Sequence, residues 1–230
     1  MKVITYTNKG RRKLNQDYLG WRTLGENSSL FVVADGMGGY SYGDVAAQVV
    51  TESLLEFIEG NEDRFSPSVL LSEAIKYAND SLCIKRLALG AKNMGSVVVV
   101  LYLLEGTAHL AWVGDSRIYL SRKNRIIFQT EDHSVINEMA KIRTLRADDY
   151  EKYASIVTQA LMGDERALMP GYDSFLLEKG DMFLLCTDGI HKEMNIDDIL
   201  YENDEEKLKA ELDGRRRNIS DNYTFIKVTI

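Results

Sequence analysis

The chain has 230 residues, 45% of them hydrophobic, enough to bury a full core in one large domain or two small ones. Its 35 acidic side chains outnumber 28 basic ones, for a net charge of −7, which argues against a nucleic-acid binder with a basic face for phosphates. Phosphate chemistry stays open, because acids hold cations and cations hold phosphate.

In chain order, residues 18–24 and 29–34 read as neighbouring strands joined by the turn-like Gly25-Glu26-Asn27-Ser28. From Asp44 the period changes. Val45, Ala46, Val49, Val50, Leu54, Phe57 and Ile58 share one helix face, and Gly60-Asn61 ends it. Ser66 as N-cap and Pro67 in the first turn start a second helix, with an apolar stripe of Leu71, Ala74, Ile75, Ala78 and Leu82. After Gly95 come the short β-rich runs VVVVLYLL, TAHLAWV, RIYLS and RIIFQ. Turn signals at Glu105-Gly106, Gly114-Asp115 and Lys123-Asn124 part them, a pattern of antiparallel meanders. A helix is expected over 132–142, and an irregular, flap-like segment over 143–170. Residues 172–177 and 182–186 predict a hairpin around Lys179-Gly180. A polar helix is expected over 195–212. Residues 223–230 read as a closing strand with Ile226, Val228 and Ile230 turned inward.

Strands in clusters with a separate helix pair give an α+β class: two antiparallel sheets face to face, helices outside. No linker or repeat divides the chain, so a single domain over 1–230 is expected. Cys83 and Cys186 are too few and too distant for a disulfide framework and point to a reducing compartment. The start, MKVITYTNKGRRKLNQD, has no apolar run long enough for a signal-peptide core, and no stretch approaches the roughly 20 apolar residues of a membrane span. The expected location is the cytoplasm.

Five carboxylates stand at strand tips. Asp35 ends an apolar run, Asp17 follows Asn15-Gln16, Asp115 follows AWVG, Asp188 follows MFLLCT, and Asp221 precedes the last strand. Desolvating unpaired carboxylates is costly, so if the tips converge, cations must hold them. Oxygen ligands without ligand-spaced His or Cys suit Mg²⁺ or Mn²⁺ rather than zinc. Without a Cβ, Gly36 lets the backbone approach an ion and offer its carbonyl, while Gly38, Gly39 and Gly43 turn the chain away. On this motif alone, a tight turn ahead of a helix explains the glycines equally well.

Taken together and in order, the motifs are Arg12 with Asn15-Gln16-Asp17, VVADGMGG (32–39), GDSRIY (114–119), DHS (132–134), CTDG (186–189) and SDN-Y-T (220–224). They closely resemble those of the metal-dependent Ser/Thr protein phosphatases, the 2C or PPM type, over about residues 5–230. Met37 resembles the bacterial branch, since eukaryotic relatives usually have His there.

The resemblance implies a four-layer α-β-β-α sandwich with a binuclear Mn²⁺ or Mg²⁺ centre at one end. It implies that Asp35 bridges both ions, that the Gly36 carbonyl binds one, and that Asp188 and Asp221 bind the other. By the same resemblance Asp17 acts through metal-bound water, Asp115 with Asp188 holds a third, looser ion, and Arg12 clamps the substrate phosphate. Asn222 is expected to orient Asp221. Arg117 is expected to pair with an acid in the sheet, and His133 to be structural.

The implied function is a phosphoserine/phosphothreonine protein phosphatase in which a metal-bridging hydroxide attacks phosphorus in line, with no need of a cysteine nucleophile. The implied partners are phosphorylated proteins, substrates of a Ser/Thr kinase, with no nucleic acid and no membrane; a monomer is expected. The chain departs from the family pattern at Gln16, where Glu is frequent, and at Gly95-Ser96-Val97, where Gly-x-Thr is common. A catalytically silent relative and a hydrolase of small phosphate esters remain as alternatives.

Overall fold

Period-two alternation decides which way each strand faces, and in β3 (Ser28–Gly36) both faces are apolar. Leu30, Val32 and Ala34 turn to one core and Phe31 and Val33 to another, all of them fully buried. Such a strand belongs in the middle of a covered sheet. The computed structural model describes residues 1–37 and 42–230, so Gly38 and Gly39 lie outside the described residues.

One antiparallel sheet runs β2 (Asp17–Gly25), β3, β4 (Ser96–Leu104), β5 (Thr107–Val113) and β8 (Gly171–Leu176). The other runs β1 (Lys2–Asn8), β10 (Tyr223–Thr229), β9 (Met182–Cys186), β6 (Arg117–Arg122) and β7 (Arg125–Gln129), also antiparallel throughout. Phe31, Val33, Val99, Leu101, Phe183, Leu185, Ile226 and Val228 fill the space between the sheets. Helices α1 (Gly43–Glu59) and α2 (Pro67–Ala88) cover the outside of the first sheet. The short α5 (Asp188–His191), α6 (Ile196–Leu200) and α7 (Glu205–Arg215) cover the second through Ile190, Ile199, Leu200, Leu208 and Leu212. The expected α+β sandwich of two antiparallel sheets with helices outside is the architecture found. No helix among the described residues is long and apolar enough to cross a membrane.

Four local expectations are corrected. Residues 172–177 and 182–186 do not form a hairpin: β8 pairs with β5 and β9 lies between β10 and β6, so the turn at Lys179-Gly180 carries the chain from one sheet to the other. The polar stretch 195–212 is two helices, because Asn195 caps Asp197 and Asp204 caps Lys207, each side chain accepting from the backbone N–H. The segment 143–170 is not irregular throughout. It holds α4 (Ala147–Tyr153), anchored by a two-pronged Arg143–Asp149 pair, and it bridges Ser134 through Val157 and Ser96 through Leu161. The helix expected over 132–142 starts later, as α3 (Val135–Ile142): Ser134 Oγ accepts from the Asn137 N–H, while Asp132 is engaged by Arg117.

The first strand, β1, has no counterpart in the sequence reading. Only Ile4 and Tyr6 of its seven residues are buried, too sparse a pattern to stand out. In β10, Ile226 and Val228 do face the space between the sheets, but the opposite face is buried as well. Phe225 packs under the helices, and Lys227, 2% exposed, donates from Nζ to the Ile199 and Glu202 carbonyls.

Candidate metal centre

The alternation that buries Phe31 and Val33 between the sheets carries Asp35 to the same side at the end of β3. Its cross-strand partner is Asp17, the first residue of β2. Like charges placed directly opposite destabilise an antiparallel pair, so this hairpin end is unfavourable unless something neutralises it. From the other sheet, Thr187 continues the inward series of Phe183 and Leu185 and donates its hydroxyl to Asp17 Oδ2 at 2.9 Å. Its own Oγ1 accepts from the Thr224 N–H at 3.0 Å. Asp17 Oδ1 is buried and has no hydrogen-bond partner. Burial first, then the Asp188 and Asp221 charges, push the Asp17 carboxyl up to about 7. Burial and the Asp17, Asp188, Asp115 and Asp221 charges raise Asp35 well above the usual carboxylate range.

Around Asp35 opens a cavity of about 250 Å³ at the end of the sandwich. Arg12, Gly36, Asp115, Asp188, Asp221 and Asn222 line it, together with Gln16, Met37, Val97, Ser155 and Val157. Every site residue expected from sequence therefore stands at this cavity, except Asp17, which is buried opposite Asp35. Residues 155 and 157 place the 143–170 segment on its rim.

Resident cations hold part of this charge. Arg12 sets Nε and Nη2 on the two oxygens of Asp221 at 2.8 and 2.7 Å. Lys192 Nζ lies 2.8 Å from Asp188 Oδ2 and 3.2 Å from Asp115 Oδ2. Burial is the first cause that raises Asp115, with Lys192 opposing it. With the acids so engaged, no three carboxylates among the described residues stand in a ready ligand cluster. The donor set nonetheless fits a hard divalent ion. It is all oxygen, it carries an unpartnered buried carboxylate atom at Asp17, and two of its acids face each other across a strand pair.

Gly36 also has a packing reason to lack a side chain. A Cβ there would lie 2.0 Å from the Gly43 carbonyl oxygen and 2.7 Å from that of Gln16, so the first turn of α1 packs directly on the strand end. Asn222 works mainly through its side chain on the 9–16 loop: Oδ1 accepts from the Gln16 N–H, and Nδ2 donates to the Lys9 and Leu14 carbonyls. Only its backbone N–H donates to Asp221. Arg117 pairs with Asp132 through two bonds of 2.8 Å. His133 stacks on Trp112, its Nδ1 accepting from the Gly114 N–H. The sequence reading missed Thr187 and Lys192. The only signal for Lys192 was its place four residues after Asp188.

The family profile described as protein phosphatase 2C matches residues 7–221. The chain belongs to the protein phosphatase 2C family. Its similarity runs to bacterial proteins of that family. The protein phosphatase PhpP of Streptococcus pneumoniae serotype 2 is 28% identical over 195 residues, covering 83% of this chain and 79% of that protein. The solved serine/threonine phosphatase Stp1 from Staphylococcus aureus superposes with a TM-score of 0.86 at 27% identity, covering 100% of this chain and 94% of that one. The catalytic domain of the serine/threonine protein phosphatase PstP, solved in complex with two manganese ions, has a TM-score of 0.80 at 23% identity and bears on the fold alone; it covers 98% of this chain and 96% of its own. With the family comes the enzyme class, that of the protein phosphatases.

Proposed function

We propose that this chain is a Mn²⁺- or Mg²⁺-dependent phosphoserine/phosphothreonine protein phosphatase that hydrolyses its substrates directly. The observation that carries the reading is that Asp35, Asp188 and Asp221, drawn from both sheets, line one cavity with Arg12, while Asp17 stands opposite Asp35. Asp35 and the Gly36 carbonyl would hold the ions together with Asp188 and Asp221, and Asp17 would act through water. When bound, such ions lower the pKa of water and stabilise charge on phosphoryl oxygens. Arg12 supplies the phosphate clamp: the fork now resting on Asp221 matches two oxygens of a phosphate equally well. Thr187 fixes the rotamer of Asp17. Neither thiol competes as nucleophile: Cys83 lies in α2 and does not line the cavity, and Cys186 is fully buried, which pushes its thiol up, away from the thiolate.

The likeness to the protein phosphatase PhpP and to the serine/threonine phosphatase Stp1 supports this reading of substrate class. The partners are phosphorylated proteins made by a Ser/Thr kinase, in the cytoplasm, met by a one-domain monomer. Phosphoserine, phosphothreonine and phosphotyrosine peptides assayed in parallel, with Mn²⁺ and with EDTA, test it. Turnover of the first two with Mn²⁺, lost in EDTA, is the expected result. Full turnover in EDTA would refute the metal centre. Hydrolysis of p-nitrophenyl phosphate with no turnover of any of the three phosphopeptides would favour a small-ester hydrolase, and no turnover of any substrate a silent relative.

A further inference from the structure

Lys192 bonds to two acids of the cavity wall, and neither the family resemblance nor the proposed mechanism gives it a part. Its ammonium lies between two carboxylates that come from separate parts of the chain, Asp188 at the start of α5 and Asp115 in the turn after β5. Both partners are held in place. The Lys192 N–H donates to the Asp188 carbonyl at 2.9 Å, which sets its side chain one helical turn from the Asp188 carboxylate. The adjacent His191 donates from Nε2 to the Asp115 carbonyl at 2.9 Å, so consecutive residues grip Asp115 by backbone and side chain. The Asp115 turn is fixed from behind, because Gly114 has φ +108 and a Cβ there would lie 2.2 Å from Val97.

We propose that Lys192 is a built-in cation: its ammonium fills the space between Asp115 and Asp188 where a third divalent ion would bind, so the centre takes two ions and refuses another. This inference rests on the metal-centre reading above. Charge supports it. Two divalent ions and one ammonium balance the five carboxylates of Asp17, Asp35, Asp115, Asp188 and Asp221, which leaves Arg12 free for phosphate. A third ion would have to displace the ammonium or accept its repulsion at close range. Lys192 engages only Oδ2 of Asp188, which leaves Oδ1 to the main centre.

The test is to count Mn²⁺ on the folded full-length chain at saturation, by titration calorimetry and electron paramagnetic resonance. The wild type is expected to bind two ions and Lys192→Met three, the third lost again when Asp115→Asn is added. Lys192→Arg, which keeps the charge, is expected to stay at two. Three ions on the wild type, or two on a folded Lys192→Met, would overturn the proposal. Should Lys192→Met fail to fold, manganese-edge anomalous density between Asp115 and Asp188 in wild-type crystals would overturn it, and two peaks elsewhere in the cavity would sustain it. A wild type that binds no Mn²⁺ would instead bring down the metal-centre reading beneath it.

Discussion

Arg12 rests on Asp221 through two short bonds, yet its side chain is about half exposed. An exposed ion pair of this kind contributes about 0–1 kcal/mol to stability, so in its proposed role the arginine would give up little on moving to a phosphate. Arg12→Ala is therefore expected to lower kcat/KM on a phosphoserine peptide by about 10–100-fold, the equivalent of about one charge-assisted hydrogen bond. Its melting temperature should stay close to that of the wild type. Unchanged steady-state kinetics would remove Arg12 from the phosphate site. Asp35 and Asp188 stood out as carboxylates closing apolar runs, whereas Asp17 and Asp221 follow polar residues and were readable only through the ordered motifs. Lys192 was not readable. A lysine four residues after an acid is an ordinary surface pair on a helix, and its second partner, Asp115, is 77 positions away.

Among the elements, the packing of the first turn of α1 on the end of β3 tolerates little change. A methyl group on Gly36 would meet two backbone oxygens, neither of which can swing away as a side chain would. Gly36→Ala is expected to cost about 1–3 kcal/mol in urea unfolding, the range of an overpacked core, and to abolish turnover by displacing Asp35. A silent substitution would mean that α1 and β3 slide apart freely.

In β10, burial lowers the Lys227 ammonium to about 8, with Lys2 adding to the effect. Between about pH 8 and the ordinary lysine range near 10.4, the unfolded chain holds a proton the folded chain has released. Stability should rise with pH across that window, and Lys227→Met should flatten the rise; urea midpoints at pH 8 and pH 10 decide it.

Most elements were legible because their apolar periods are strong, as in β4, where eight of the nine residues are buried. The association of β8 and β9 was not, because a turn signal such as Lys179-Gly180 records a change of direction and says nothing of which sheet receives the next strand. That choice is made at a distance, where the Leu177 N–H meets Gly106 and the Asp181 side chain takes two bonds from Arg122.

Across the whole molecule, the candidate ligands divide between the sheets, with Asp17 and Asp35 on one and Asp188 and Asp221 at the strand ends of the other. Ions shared among them would fasten the two sheets at one end of the sandwich. Mn²⁺ is therefore expected to raise the melting temperature by mass action, about 2.7 kcal/mol at a hundred times Kd. Calorimetry on wild type and Asp35→Asn checks this. A shift of equal size in the variant would place the stabilising ion elsewhere.

The same division sets an order of assembly. Asp17 finds Asp35 within a single local hairpin, whereas it reaches Thr187 across 170 positions, and β1 has no neighbour in its sheet until β10 has been made. Contacts so remote in sequence form late and slowly. During synthesis the nascent chain thus carries a half-built acidic hairpin, and capture of the proposed ions would be one of the last events on the route to the native state.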